Sequence, residues 1–247
     1  MEFRSVFVSC EHGGNDVPTE YAGLFAGAEE VLKTHRGWDP GALAAARHFA
    51  GLFGVPVHFS TVTRLLVDLN RSLGSPTLFS EFSGRLSEEE RETVLERYYT
   101  PYRQGTMEQV QKLIETGRGP VLHLSIHSFT PVFNGVVRRA EIGLLYDPAS
   151  GLEKQFCHRV RARLRRSPMK WLVRSNYPYR GTGDGLILTM RRALTAGTYA
   201  GVNLELPQGL YMERRERWDR LIEETGEALL RCRAAVRRRR AGKVRTA

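Results

Sequence analysis

Short apolar runs alternate with longer helical segments along this chain, and this alternation constrains the fold more than any other feature. The runs predicted as strands are 5–9, 55–60, 65–69, 121–126, 142–146, 171–173 and 202–206. The segments predicted as helices are 39–52, 87–115 with a break near Pro101, 152–165, 185–196 and 213–238. This order indicates an α/β fold: a single domain with a mostly parallel mixed sheet and helices on both faces.

Composition excludes several other classes of protein. Of the 247 residues, 41% are hydrophobic and 26% are charged, as in ordinary globular domains, which argues against intrinsic disorder. No apolar run is long enough for a transmembrane helix, and no signal peptide is visible at the start. Three widely spaced cysteines (Cys10, Cys157 and Cys232) cannot form a disulfide framework. We therefore expect a cytoplasmic protein in a reducing compartment with no membrane partner.

The net charge of +10 is concentrated near the C-terminus. Residues 214–247 contain twelve Lys or Arg and five Asp or Glu, and the run 237–240 is entirely arginine. We interpret this segment as a solvated helix end, because no aromatic residue accompanies the basic residues after Trp218. A tail that binds nucleic acid is the less favoured interpretation.

Two histidine-containing segments predict a polar site at the ends of strands. After residue 121 the sequence alternates strictly, so that His123, Ser125 and His127 share one strand face. Neutral imidazole is a frequent metal ligand. His12 follows the first predicted strand and precedes two glycines, which allow a sharp turn. Taken alone, His12 is better explained as a hydrogen-bonded structural residue.

Two further strand ends carry groups that could bind substrate or transfer a proton. In the run 65–69 and just after it, Asp68 and Asn70 point to one side, and Arg71 has a planar guanidinium suited to a carboxylate. Glu205 lies in an apolar strand, where burial would raise its pKa and make it a candidate general base. Each feature alone also fits an ordinary surface or edge-strand position.

The segment 175–185 contains three glycines and a proline, a composition typical of a lid or substrate-binding loop. It lacks the spacing and the lysine of a phosphate-binding loop. Considered together, the clusters contain most of what a zinc hydrolase requires: nitrogen or oxygen ligands, a carboxylate base and a group that holds substrate. His12, His127, Glu205 and Arg71 could provide these from four different strand ends.

Six motifs occur in the same order as in one known family. They are EHGGN (11–15) followed by Pro18, HRGWDPGA (35–42), VDLNR (67–71), HSF (127–129), Asn176 with PY (178–179), and EL (205–206). On these motifs, which span about residues 5–215, the chain resembles the N-formylglutamate amidohydrolase family. The ordered series is more specific than any single motif.

The resemblance implies a zinc-carboxypeptidase-like (phosphorylase/hydrolase-like) fold and a metal-dependent amidohydrolase. The family's example reaction converts N-formyl-L-glutamate into formate and L-glutamate, so the expected partner is a small acidic N-acyl amino acid. By this resemblance His12 and His127 bind one divalent ion, expected to be zinc, and Glu205 is the catalytic base. Asp68 would hold the ring of His12. The residues expected to bind substrate are Asn70, Arg71, Asn176, Tyr179 and Arg180.

The third metal ligand stays open at this point. The peptidase pattern has a glutamate three residues after the first histidine, and here that position is Asn15, whose neutral amide is a poor zinc ligand. Glu11, Asp39 or water could take the place. We favour Asp39 because the family pattern includes an aspartate there, although Asp39 before Pro40 also fits a helix N-cap.

Two functional alternatives accompany this interpretation. The first is a hydrolase of the same fold that acts on another N-acyl amino acid or on a peptide. The second is a non-catalytic protein that binds nucleic acid through the arginine run. We assign residues 1–236 to the catalytic domain and 237–247 to a basic tail.

Overall fold

A six-stranded sheet forms the centre of the computed structural model, which describes residues 2–117 and 119–233. In chain order the strands are β1 (Ser5–Cys10), β2 (Val57–Phe59), β3 (Val121–Phe129), β4 (Val132–Phe133), β5 (Val136–Val137), β6 (Ile142–Leu145), β7 (Val173–Ser175) and β8 (Tyr199–Pro207). The sheet order is β2-β1-β3-β8-β6-β7, whereas β4 and β5 form a separate hairpin. Only the β6–β8 pair is antiparallel among these described strands of the sheet. The predicted mixed, mostly parallel sheet is confirmed.

Helices cover both faces of this sheet, as predicted. They are α1 (Glu29–Leu32), α2 (Ala42–Phe53), α3 (Glu88–Val94), α4 (Thr100–Thr116), α5 (Gly151–Arg165), α6 (Leu186–Ala193), α7 (Gln208–Glu213) and α8 (Arg215–Arg233). Helices α2, α5 and α8 pack on one face, and α4 and α6 pack on the other. The predicted helix 213–238 corresponds to α8, which begins at Arg215, and positions 234–238 lie outside the described residues. The short helix α7 before it was not predicted.

The alternation along β3 separates a hydrophobic core from a polar layer. Leu122, Leu124 and Ile126 are completely buried in the core formed with α2, α5 and α8. Each such side chain contributes about 1.5–3 kcal/mol by leaving water. His127 points to the opposite face, and the parallel β3–β8 register places it beside Glu205.

The helical region 87–116 begins as predicted but continues past its proline. Ser87 forms the predicted capping box: its hydroxyl accepts from the backbone N–H of Glu90 at 3.2 Å, and the Glu90 carboxylate accepts from the backbone N–H of Ser87 at 2.7 Å. A π-helical segment, Leu95–Tyr99, joins α3 to α4. Pro101 lies in the first turn of α4, where its missing N–H costs little, so the predicted break does not occur.

The strand predicted at 65–69 is wrong. This segment forms turns, in which the backbone N–H of Leu66 bonds to the carbonyl of Thr63 and that of Asp68 bonds to the carbonyl of Leu78. Strands β2 and β3 already occupy both sides of β1. The apolar side chains of the segment are instead buried under the second face of the sheet.

Asp39 does not cap helix α2, which begins at Ala42. The N-cap is Gly41, whose φ of 86° lies in the left-handed region that glycine adopts without strain. The side chain of Asp39 is therefore available for another contact.

Strand β7 begins two residues later than predicted, at Val173. None of the described helices combines the length and hydropathy that a membrane span requires.

Candidate active site

A cavity of about 560 Å³ opens at the carboxyl ends of β1, β3 and β8. Its inner wall contains His12, Asp39, His127 and Glu205, and its outer wall contains residues from the hairpin and the 175–185 loop. In α/β sheets this edge is the usual place for a ligand, since the loops that follow neighbouring strands meet there.

His12, Asp39 and His127 come together in a buried group. The Oδ2 atom of Asp39 lies 3.0 Å from Nδ1 of His127 and 3.4 Å from Nδ1 of His12. One ligand atom from each residue falls within 4.8 Å of the other two. The three residues predicted as metal ligands are therefore placed where a single ion could contact all of them.

The ring of His12 is oriented from its far side by Asp68. Nε2 of His12 lies 2.7 Å from Oδ1 of Asp68, and because a carboxylate only accepts, this nitrogen carries the proton. Nδ1 of neutral His12 then has a lone pair, and it is buried without a hydrogen-bond partner among the described residues. Arg64 bridges the other oxygens of the two aspartates, at 3.0 Å from Asp39 and 2.9 Å from Asp68.

The two other candidates for the third ligand lie elsewhere. Oε2 of Glu11 is 3.0 Å from Nε2 of His127, so it contacts the side of the ring that faces away from Asp39. The side-chain amide of Asn15 donates to the carbonyl of Leu32 at 3.0 Å. Of the three side chains, Asp39 is the one placed beside both histidines.

This buried group has an excess of negative charge. Burial opposes ionisation of Glu11, Asp39 and Asp68, but hydrogen bonds and nearby positive groups outweigh it and hold their pKa values below the usual range. The neighbouring cation is Arg64, whose charge offsets one of the three carboxylates. Burial would lower the pKa of His127, but its hydrogen bonds to Asp39 and Glu11 raise it well above the ordinary value. The raised pKa of His127 indicates that positive charge is favoured between these two carboxylates.

A divalent cation fits this set of residues. Two imidazole nitrogens and a carboxylate are a common ligand set for zinc, and the remaining positions could hold water or substrate. With both histidines neutral, as metal ligands must be, the excess of two negative charges also matches the charge of such an ion. The group is a possible metal site.

Glu205 faces this group from the neighbouring strand. It is 4% exposed, and its Oε2 has no hydrogen-bond partner among the described residues. Burial raises its pKa to about 7, with opposing effects from His127, which lowers it, and Asp39, which raises it. Gly143 lies opposite Glu205 in β6, and a Cβ there would come within 2.9 Å of the Glu205 Cβ. The missing side chain leaves room for the glutamate.

Asn70 and Arg71 also line the cavity. Oδ1 of Asn70 accepts from the backbone N–H of Leu186 at 2.8 Å, and its amide nitrogen is 3.4 Å from His127. The Arg71 guanidinium donates to the carbonyl of Asn70 at 2.9 Å and to the hydroxyl of Thr77 at 3.1 Å. These bonds fix the guanidinium at the cavity wall.

The three loop residues predicted to bind substrate have different positions. Tyr179 and Arg180 line the cavity, and the hydroxyl of Tyr179 accepts from Arg138 at 3.2 Å. Asn176 is not among the described lining residues. Its Oδ1 accepts from the backbone N–H groups of Tyr146 at 3.0 Å and Gly181 at 3.1 Å, which shapes the loop.

The sequence analysis missed Arg64 and the hairpin formed by β4 and β5. Arg64 stands four residues before Asp68, a spacing that suits an ion pair in a helical turn, but the strand predicted there obscured it. Asn134 and Gly135 form the hairpin turn, and an Asn-Gly pair between apolar residues is a strong hairpin signal. Phe133 from this hairpin lines the cavity.

The sequence model of the N-formylglutamate amidohydrolase family matches residues 4–212. The chain belongs to this family. The match includes the whole buried group and Glu205, and it confirms the family predicted from the motifs. As a member of an amidohydrolase family, the chain is expected to act on small molecules. The basic run 237–240 lies outside both the match and the described residues.

Two solved structures resemble this family member over nearly the whole chain. Gene product Atu2144 from Agrobacterium tumefaciens is 29% identical, with a TM-score of 0.75, over 91% of this chain and 90% of that one. N-formylglutamate amidohydrolase from Ralstonia eutropha JMP134 is 18% identical, with a TM-score of 0.63, over 92% of each chain, and it shows the shared fold. Among curated proteins, none matches this chain.

Proposed function

We propose that this family member is a metal-dependent amidohydrolase that cleaves the amide of an N-acyl amino acid, with N-formyl-L-glutamate giving formate and L-glutamate. One observation supports the proposal above all others. His12, Asp39 and His127 converge in a buried group with excess negative charge, and Glu205 faces that group.

The ligands of one divalent ion, proposed to be zinc, would be Nδ1 of His12, Nδ1 of His127 and the carboxylate of Asp39. Such an ion, when bound, polarises an acyl carbonyl and lowers the pKa of water towards about 7. Asp68 keeps the ring of His12 in the required orientation.

Glu205 is proposed as the general base and then the general acid. It takes a proton from the attacking water and passes the proton to the leaving amine, which must be protonated to depart. A pKa of about 7 suits both steps, because the carboxylate can gain and lose a proton near neutral pH.

Arg71 is proposed to hold a carboxylate of the substrate, with Arg180 as a second group. Two of the Arg71 nitrogens bond to the protein, and Nη2 makes no hydrogen bond to any described residue. The Tyr179 hydroxyl accepts from Arg138 and can still donate to substrate. Asn70, held by the N-terminus of α6, lies between Arg71 and His127.

Another N-acyl amino acid or a peptide remains the second candidate substrate. The volume of about 560 Å³ is typical of sites for larger ligands, and Phe133 and Tyr179 expose aromatic surface at the outer wall.

Cys10, Cys157 and Cys232 are buried and unpaired, which supports the proposed cytoplasmic compartment. Binding of nucleic acid by the basic tail stays a prediction about residues outside the described part of the chain.

The decisive experiment combines metal analysis with a substrate panel. Protein purified without chelator should contain one zinc ion per chain, and His12→Ala and His127→Ala should each lose it. His158→Ala, which changes a histidine on the surface of α5, is the matched control and should keep the metal. Unchanged metal content in both site variants would rule out the proposed site, and the rates on different N-acyl amino acids identify the acyl group.

A further inference from the structure

Glu11 is completely buried and accepts hydrogen bonds from four side chains. Oε1 accepts from Ser9 at 2.6 Å and from Tyr102 at 3.0 Å. Oε2 accepts from Ser125 at 2.6 Å and lies 3.0 Å from Nε2 of His127. A carboxylate with this many donors is fixed in orientation, because rotation would break several bonds at once.

From Ser9, the hydrogen bonds continue across the sheet to His123 and Tyr199. Ser9 donates its only proton to Glu11, so its oxygen must accept from Nε2 of His123 at 2.8 Å. The other nitrogen of His123 then accepts from the hydroxyl of Tyr199 at 2.7 Å. Burial keeps His123 neutral by lowering its pKa to about 3. Each donor in this series of hydrogen bonds therefore points towards Glu11.

Both nitrogens of His127 face carboxylates: Nε2 faces Glu11, and Nδ1 faces Asp39. Since the carboxylate can only accept, Nε2 of His127 is a donor. Asp39 is one of the proposed metal ligands and Glu11 is not, so a metal ion would take the place of a proton on Nδ1 while Nε2 keeps its proton towards Glu11. In the same way, Asp68 accepts from Nε2 of His12, which leaves Nδ1 of that ring to face the metal site.

We propose that Glu11 is a positioning residue that holds His127 in the tautomer with Nδ1 available to a metal ion, and that Ser9, His123 and Tyr199 orient its carboxylate. This inference depends on the metal site of the proposed function. Glu11 acts through His127 and does not contact substrate. Partners of this kind raise the basicity of a ligating imidazole and reduce the entropy lost on binding.

The test is the zinc affinity of Glu11→Gln, measured by competition with a chelator. Glutamine has the same shape, but its amide group cannot accept at both ends and has no charge. We expect zinc binding to weaken about 10- to 100-fold. In zinc-loaded wild-type protein, the Nε2 proton of His127 should give a downfield NMR signal from its bond to a carboxylate. That signal should move upfield or disappear in Glu11→Gln.

Glu153→Gln is the matched control. Glu153 is also a buried glutamate with several donors, but it pairs with Arg191 and is not among the residues that line the cavity. This change should lower the thermal unfolding temperature and leave the zinc affinity within about twofold of wild type. An equal loss of zinc affinity in both variants would mean a general packing effect and would overturn the proposal.

Ser9→Ala keeps the carboxylate but breaks the chain of donors, so it also tests the proposal if Glu11→Gln does not fold. We expect zinc binding to weaken about two- to tenfold, the usual effect of one lost hydrogen bond. Wild-type affinity in both Glu11→Gln and Ser9→Ala would overturn this inference and leave the metal site intact. Wild-type protein that binds no zinc would instead remove the proposed function itself.

Discussion

The two faces of strand β3 bury very different side chains. One face consists of Leu122, Leu124 and Ile126, and the other of His123, Ser125 and His127, and all six are buried. The same backbone hydrogen bonds to β1 and β8 support both faces. The apolar face stabilises the fold by removing carbon from water, whereas each polar group on the other face needs a hydrogen-bond partner.

Strand β8 repeats this division. Leu204 points into the apolar core, and its neighbour Glu205 points into the cavity. Adjacent residues therefore serve stability and chemistry separately. If the separation is complete, a change on one face leaves the role of the other face intact.

Glu205→Gln should produce the largest effect. Loss of the group that transfers the proton should lower kcat for an N-acyl amino acid about 100- to 10,000-fold. Zinc content and resistance to urea should stay near those of wild type, because the amide occupies the same space. Turnover within tenfold of wild type would contradict the assigned role.

Leu204→Ala should affect stability and spare the site. The change leaves a cavity in the apolar core, so we expect the free energy of unfolding to fall by about 2–5 kcal/mol in urea titrations. Zinc affinity of the folded protein should stay within about twofold of wild type, since the altered side chain faces away from the cavity. A large drop in affinity would show that the two faces are coupled.

The pH dependence of stability should reveal the burial of Glu205 in metal-free protein. Its pKa is about 7 in the folded state and 4.5 in the reference state, so the folded protein binds the extra proton between these values. The resulting stabilisation is complete below about pH 4.5 and is lost as the pH rises through about 7. Its full size is about 3 kcal/mol.

Chelator-treated wild-type protein and Glu205→Gln should be unfolded in urea at several pH values. The wild type should lose stability relative to the variant as the pH increases across this range. Parallel curves would show that the carboxyl is not desolvated as the structure indicates.

Tyr179→Phe should have the smallest effect. Its ring is 47% exposed at the outer wall, and only its hydroxyl can contact substrate through a hydrogen bond. We expect KM to rise about two- to tenfold with kcat little changed. A large fall in kcat with unchanged KM would place Tyr179 in the chemical step.

The sequence predicted the polar face of β3 well because strand alternation is a local property. The role of Asp39 could not be decided in the same way, since its position before Pro40 fits a helix cap as well as a ligand. The contacts that the Asp39 side chain makes depend on Gly41, which takes the cap position, and on His127, which lies 88 residues further along the chain. Such long-range contacts are not encoded in any short pattern.

Arg64 shows a different limit of sequence interpretation. The apolar residues 65–67 suggested a strand, yet their burial comes from packing under the sheet rather than from pairing with a neighbour. In a strand, Arg64 and Asp68 would lie about 13 Å apart, whereas the turn brings their side chains within 2.9 Å of each other. Asn70 lines the cavity and Asp68 contacts His12, although the strand predicted to carry them does not form.

The pairing of His127 with Glu205 across β3 and β8 has a consequence for how this site tolerates change. The spacing between neighbouring strands, about 4.8 Å, comes from backbone hydrogen bonds and is the same for every sequence. Side chains around the pair can therefore be exchanged during evolution without altering the distance between its two backbones. Inserting one residue into β8 ahead of Glu205 would instead turn the glutamate into the apolar core, and the protein could keep its shape while losing its chemistry.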